Sequence, residues 1–388
     1  MIGSHTLLHI FVRWLEFLGL MTLVGGLAFQ SLILPPSLLS RQDYPIIERH
    51  FRRVQAGSLG LVALTSLADL ILRTLMMSGG SLATLGLALP LVLLNTHYGT
   101  VWIARIGLLG LLGMAWWLRL QGVATTPRLL WIARLGRVGL LGMAWWLRLL
   151  GSTASPRFIR ASFFAAFLVP LTTTLSGHAA DRGDVTIPVL IDWFHLLAVS
   201  IWTGGLFTFG FVLKRSLATP GMEDMVQGLS SIARPFSRMA AACVAVFLVT
   251  GLYNSWLQVG SISALVDAAY GWTLLVKLVL VGGVLMIAAI NRYYFLALLL
   301  HRSGRAEGLI YGTIHRFASM PQSQFSRFIR LEWIMVVVAL ACSALLTQLM
   351  PARHVRHLEH LKSLEHNGGH PPAHHMPTAM PPSTQGGR

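Results

Sequence analysis

The sequence predicts an all-α polytopic membrane protein. About eight core transmembrane helices form two parallel four-helix repeats, with one interfacial or re-entrant helix inserted into the first. Three observations lead there. Of the 388 residues, 54% are hydrophobic and only 11% charged, with a mean hydropathy of +0.65, whereas soluble domains carry about 25% charged residues. Apolar runs of about 20 residues, the length that crosses a bilayer, recur along the whole chain. The arginines gather at the ends of those runs, as the bias of basic residues towards the cytoplasmic side requires. The net charge of +16 therefore reads as an orientation signal on a chain whose partner is the lipid bilayer. It lacks the basic patch interleaved with polar surface that phosphate binding needs, so no nucleic-acid partner is expected.

Taken in order, the first helix is expected over about 9–34, stopping at Pro35-Pro36 and carrying Glu16. Arg41, Arg49, Arg52 and Arg53 then mark a cytoplasmic loop, which puts the N-terminus, with His5 and His9, outside. The opening is nearly uncharged and its apolar run long, so it does not read as a cleaved signal. Helix two (54–77) carries Asp69, helix three (101–118) carries Arg105, and helix four (161–175) emerges at His178. Helix five is headed by His195 and ends at Lys214-Arg215 on the inside. A basic loop with Arg234 and Arg238 leads to helix six (239–257), then helix seven (272–295) with Lys277. Helix eight (331–350) puts the tail outside. Both termini are thus expected on the periplasmic side. Cys243 and Cys342, the only cysteines, fall inside apolar runs and read as small packing residues rather than a disulfide framework.

Two internal repeats shape this organisation. Residues 102–130, WIARIGLLGLLGMAWWLRLQGVATTPRLL, are followed at once by a copy at 131–159, identical at about two thirds of positions. In the copy Arg137 replaces the equivalent of Leu108, leaving an uncharged run of about ten residues, too short to span. With Arg128, Arg134, Arg148, Arg157 and Arg160 around it, the copy reads as an interfacial or re-entrant helix on the cytoplasmic side. The second repeat is weaker and longer. Trp14, Glu16 and Gly25-Gly26-Leu27 align with Trp193, His195 and Gly204-Gly205-Leu206. Thr65, Leu67 and Asp69 align with Thr250, Leu252 and Asn254, and Tyr98-Gly99 with Arg105 align with Tyr270-Gly271 with Lys277. Arg157-Phe158-Ile159-Arg160 aligns with Arg327-Phe328-Ile329-Arg330. The expected organisation is a first unit over 1–178 containing the duplicated segment at 131–159, a second unit over 179–350, and a disordered tail over 351–388. Parallel repeats are a known transporter plan with the site at their interface.

The candidate site residues follow from this layout. His178 lies in a short polar loop with Asp181, Arg182 and Asp184, and His195 heads an apolar helix with Trp202, Gly204 and Gly205 on one side. An ionisable group at a membrane helix beside small residues is a functional-site hypothesis, weighed against an interfacial histidine over a packing notch. Glu16, His5 and His9 share the same outer layer, with His97 and Asp181 beside them. Imidazole suits copper, zinc or iron, and thioether sulfur selects copper(I); Met21 and Met350 lie near this layer, although scattered methionines in apolar helices usually pack. Arg105 and Lys277 are costly inside helices, and pairing with Glu16, Asp69 or helix-end carbonyls is as good a reading as a transport role. The tail carries His354, His357, His360, His366, His370, His374 and His375 with Met376 and Met380 among Pro and Gly, nearly half of the chain's 15 histidines. It reads as a low-complexity metal-collecting segment.

Several stretches resemble the copper resistance protein D family: GHAA at 177–180, HLLAVSIWTGGL at 195–206, the run 236–265, YGWTLLVKLVLV at 270–281, and YGTVWIARIGLL at 98–109. The resemblance implies a bacterial inner-membrane protein that handles copper ion, with a periplasmic copper-binding partner of the CopC type. It also implies roles for His178, His195, Trp202, Gly204, Gly205, Asn254, Tyr270, Gly271 and Lys277. The second copy at 131–159 and the His/Met tail depart from the family pattern. Copper transport, with His residues collecting the ion outside and passing it between the repeats, is the expected function. A copper receptor or scaffold that binds without transporting is the first alternative. A membrane haem electron-transfer protein is a weaker one, since bis-His haem needs histidine pairs on facing helices. No nucleophile–base pair, phosphate loop or ATP motif stands out, so catalysis is not expected.

Overall fold

The computed structural model describes residues 4–34, 44–79, 82–120, 156–216, 222–261, 263–295 and 322–350. Ten α-helices carry these residues: α1 (Ser4–Ala28), α2 (Tyr44–Met77), α3 (Leu85–Asn95), α4 (His97–Leu120), α5 (Pro156–Leu175), α6 (Ile187–Ser216), α7 (Met222–Val259), the single turn α8 (Ala264–Asp267), α9 (Ala269–Ile290) and α10 (Gln322–Leu346). Seven of the described helices are long and apolar enough to cross a membrane: α1, α2, α4, α6, α7, α9 and α10. The all-α polytopic membrane fold is thus present. The eighth expected core helix is α5, whose apolar stretch Ile159–Leu175 is shorter than the rest and contains Pro170. Most of the duplicated segment at 131–159, and the whole of the tail at 351–388, lie outside the described residues.

Several boundaries differ from the sequence expectation, and two helix starts do so for one physical reason. Basic side chains long enough to reach an aqueous layer do not end a helix. α2 starts at Tyr44, so Arg49, Arg52 and Arg53 ride on its first turns rather than in a loop. α7 starts at Met222 and takes in Arg234, Pro235 and Arg238. α1 and α9 each close in a π-helical turn, at Phe29–Ile33 and Asn291–Phe295. The short apolar stretch before Asn95 is a helix in its own right, α3, with Pro90 inside it. Gly99 at the start of α4 lies so close to the carbonyls of Val92 and Leu93 that a Cβ there would overlap them.

α1 is the hub. It packs against α2, α5, α6 and α10, and α6 in turn contacts α5, α7 and α10. Along the α1–α6 contact, Phe17 and Met21 share an apolar cluster with Ala198 and Trp202. Further on, Phe29 and Ile33 share another with Leu206 and Phe209. Early residues meet early residues and late meet late, so the two helices run in the same direction. At the midpoint Gly25 faces Ser200 O and Gly204, and Gly204 faces Met21 O; a Cβ at either glycine would overlap backbone. The glycines let two helix backbones touch, which is how dispersion holds helices together where lipid supplies no hydrophobic drive.

Candidate functional site

Two polar clusters among the described residues take in Glu16 with His9 and His195, one in each half. In the first, Glu16 on α1 is only 1% exposed. Its Oε2 accepts from Arg13 Nη1 at 2.9 Å and its Oε1 from Arg105 Nη1 at 2.8 Å. Arg105, on α4 and equally buried, also donates from Nε to Thr172 Oγ1 at 2.9 Å and from Nη2 to Thr173 Oγ1 at 3.4 Å. In the same half, Asp69 on α2 accepts from Tyr98 OH at 2.8 Å and from Arg73 Nε at 3.1 Å. The Arg73 guanidinium sits 4.6 Å over the Tyr98 ring. His9 Nδ1 lies 3.9 Å from Asp69 Oδ1, and its Nε2 is buried without a hydrogen-bond partner. Three guanidinium groups face two carboxylates here. Both oxygens of Glu16 are occupied by arginine, which makes it a counter-ion tying α1 to α4 rather than a free ligand.

The second cluster occupies the corresponding place around α6. His195 does not head this helix, as the sequence suggested: α6 begins at Ile187, which puts His195 about 12 Å along it at ~1.5 Å per residue. Its Nδ1 is 3.0 Å from Thr250 Oγ1 on α7. Thr250 has one hydroxyl proton, and that proton is directed to Val246 O at 2.7 Å. Thr250 Oγ1 is therefore the acceptor, Nδ1 carries the proton, and Nε2 is left with its lone pair. A histidine fixed this way through its other nitrogen is how proteins present a metal ligand. The ring lies 4.9 Å from the Phe247 ring, and its Cε1 would come within 3.1 Å of a Cβ at Gly251, so glycine there leaves the ring its place. One turn earlier Asp192 accepts from Asn254 Nδ2 at 3.0 Å and interacts with Thr174 on α5 and with Lys277 on α9.

The remaining sequence candidates sit apart from these clusters. His178 opens a short 3-10 turn, is exposed, and lies 3.5 Å from Asp181 Oδ2. His97 pairs with Asp184 at 2.9 Å, also exposed. His5 is exposed near the start of α1. His354, His357, His360, His370, His374 and His375 lie outside the described residues. Among the described residues, no group of three or more His, Cys, Asp or Glu side chains converges on a point that one metal ion could occupy. Cys243 and Cys342 are free and partly buried.

Sequence reasoning missed Arg13, Asp192 and Thr172 to Thr174. Arg13 stands three residues before Glu16 and Asp192 three before His195, so the repeat that pairs Glu16 with His195 pairs these two as well. The signal was present in the alignment. The opposite signs of the pair concealed it.

The fold and these clusters define a polytopic helical membrane protein with charged and imidazole side chains buried between its spans. Residues 4–146 match the family model for the copper resistance protein D-like N-terminal domain, and residues 230–346 match that for copper resistance protein D. In both stretches the chain is thus similar to the copper resistance protein D family. It is 30% identical over 187 residues to the copper transport protein CutJ of Bacillus subtilis, covering 48% of this chain and 29% of that protein. It is 30% identical over 128 residues to copper resistance protein D of Pseudomonas syringae pv. tomato, covering 31% of this chain and 40% of that protein. Less than half of either relative's length is thus spanned. No solved structure matches the chain.

Proposed function

We propose that this protein handles copper at the bacterial inner membrane, taking the ion from the periplasmic side and passing it between two four-helix repeats. The repeats are 1–178 and 179–350, and both termini face the periplasm. The exposed histidines His178 and His5, together with the His/Met-rich tail at 351–388, collect the ion outside. A periplasmic copper-binding protein of the CopC type delivers it. His195 is the first station within the bilayer. The observation that carries this is the Thr250 contact, which leaves His195 Nε2 as an unprotonated imidazole nitrogen, a donor type that suits copper. The matches to relatives named for copper transport and copper resistance support the choice of metal. Glu16 and His9 belong to the arginine-rich cluster, whose surplus positive charge disfavours a cation; they hold the first repeat together and shape the entry.

A receptor that binds copper without moving it is the second reading. One observation favours it: Phe247 touches the His195 ring and lies 6.0 Å from the Trp202 ring, so aromatic side chains close the way beyond His195. Competition for copper(I) against a chromogenic chelator tests the shared claim, using chain ending at Met350 so that the tail does not dominate. The His195→Ala variant is expected to lose the tightest site; an unchanged binding curve would remove His195 from the account.

A further inference from the structure

A cavity of about 310 Å³ opens between α6, α7, α9 and α10, beyond Trp202 as seen from His195. Its α6 wall runs from Trp202 to Phe209 and its α9 wall from Leu285 into the closing π-turn, so it occupies the opposite half of the bundle from His195, Asn254 and Lys277. Most of the wall is apolar. The polar end consists of Ser237 on α7, Asn291, Arg292 and Tyr293 at the end of α9, and Glu332 on α10. Glu332 is 2% exposed, and its Oε2 accepts from Asn291 Nδ2 at 2.6 Å. The other amide atom, Asn291 Oδ1, is buried without a hydrogen-bond partner. Arg292, the one cation lining the cavity among the described residues, turns its Nη1 to Ser237 O and Ser237 Oγ instead. α6 contributes only Trp202, Leu206 and Phe209 to the wall, none of which titrates.

We propose that Glu332 is a proton-binding station that exchanges with this cavity and is coupled to copper occupancy of His195. Three features point to a proton rather than to the metal. Among the described residues the lining holds no histidine, cysteine or methionine, so these residues offer no soft donor for copper(I). The carboxylate meets a neutral amide where Glu16 meets two arginines, and an intramembrane carboxyl of that kind is the usual part of a proton relay. A proton on Glu332 also supplies the donor that Asn291 Oδ1 lacks, once the amide turns over; amide orientation is set by such networks. The pairing of Arg157–Arg160 with Arg327–Arg330 puts Ser162 opposite Glu332, so the carboxyl belongs to the second repeat alone. Phe247 and Trp202 stand between the two stations, and Trp202 lines the cavity directly. A ring movement that opens His195 to the cavity therefore alters the surroundings of Glu332. The proton arrives on a carboxylate oxygen from the aqueous phase at the Tyr293 rim and leaves by the same route.

The coupling rests on His195 as the copper station; the proton site does not. The test is infrared difference spectroscopy on the purified full chain, first titrating pH without metal, then adding copper(I) at fixed pH, with bound copper counted by dialysis in the wild type and in His195→Ala, whose shared tail cancels in the difference. The expected result is a carboxylic-acid C=O band that titrates, is absent from Glu332→Gln, persists with a shifted frequency in Glu332→Asp, and changes when copper(I) is added to the wild type. Bound copper stays within about twofold in Glu332→Gln. A titrating band that survives in Glu332→Gln, or no band at all, overturns the proton site. A band that titrates but ignores bound copper overturns the coupling. Equal amounts of bound copper in the wild type and in His195→Ala, with the titrating band intact, overturn the copper reading of His195 and the coupling with it, and leave the proton site standing.

Discussion

Trp14 and Trp193 make the same hydrogen bond, each to the last helix of the other half. Trp14 Nε1 donates to Val337 O on α10 at 2.9 Å, and Trp193 Nε1 donates to Phe167 O on α5 at 3.2 Å. The pairing that equates the two tryptophans, and the separate pairing of Arg157–Arg160 with Arg327–Arg330, carry Phe167 onto Val337. Each half thus grips its neighbour through the same indole. Replacing either tryptophan with phenylalanine is expected to lower stability by about 1 kcal/mol, the usual net worth of one hydrogen bond. Equal falls in the thermal midpoint of the detergent-purified variants would agree; a large fall from one and none from the other would deny the equivalence.

The Gly25–Gly204 contact allows no side chain. A Gly204→Val or Gly25→Val change places a Cβ against Met21 O or Ser200 O, and overpacking of this kind costs about 1–3 kcal/mol. Gly282, with open space around its Cβ position, is the control: Gly282→Ala leaves stability unchanged or slightly higher. Thermal denaturation followed by size-exclusion chromatography separates the two outcomes.

Glu16 and Arg105 answer for each other. Removing one partner of a buried pair leaves the other uncompensated and costs about 3–5 kcal/mol. Arg105→Ala and Glu16→Ala are therefore each expected to reduce the yield of monodisperse protein sharply. The double variant loses less than the sum of the two, as coupled neighbours do. Additive losses would show that the 2.8 Å contact contributes nothing of its own.

The seat of His195 is testable without touching the histidine. Thr250→Val removes the acceptor for Nδ1–H, and loss of such an outer partner typically lowers metal affinity about 10–100-fold. Thr250→Ser keeps the oxygen and is expected to keep the affinity. Gly251→Ala crowds the ring at Cε1 and lowers affinity in the same direction. Copper(I) competition titrations read all three; identical affinities for Thr250→Val and Thr250→Ser would refute the tautomer assigned here.

Much of this fold is legible in the sequence because lipid imposes a strong pattern. A run such as 270–290 has few alternatives to a spanning helix. The glycine notches at 25–26 and 204–205 were visible as packing surfaces, but that they pack on each other is a tertiary fact no local pattern encodes. Arg105 could be listed with its partners in advance because a buried guanidinium needs a counter-charge, and Glu16 is one of few available. Helix starts were misread wherever charge was taken to mean loop, as at Arg49 to Arg53. His195 was misplaced for a related reason: the apolar residues from Ile187 to Phe194 count as span even though Asp192 interrupts them, because Asn254 on α7 and Thr174 on α5 hydrogen-bond its carboxyl from other helices. Glu332 went unremarked because a single acid inside an apolar run gains meaning only from the cavity it faces.

Copper(I) uptake into liposomes bearing the chain ending at Met350, beside the same chain with His195→Ala, is the decisive measurement for His195 as the copper station. Uptake by the first and none by the second is expected, with both proteins equally folded and equally inserted. Uptake that survives His195→Ala would contradict that role.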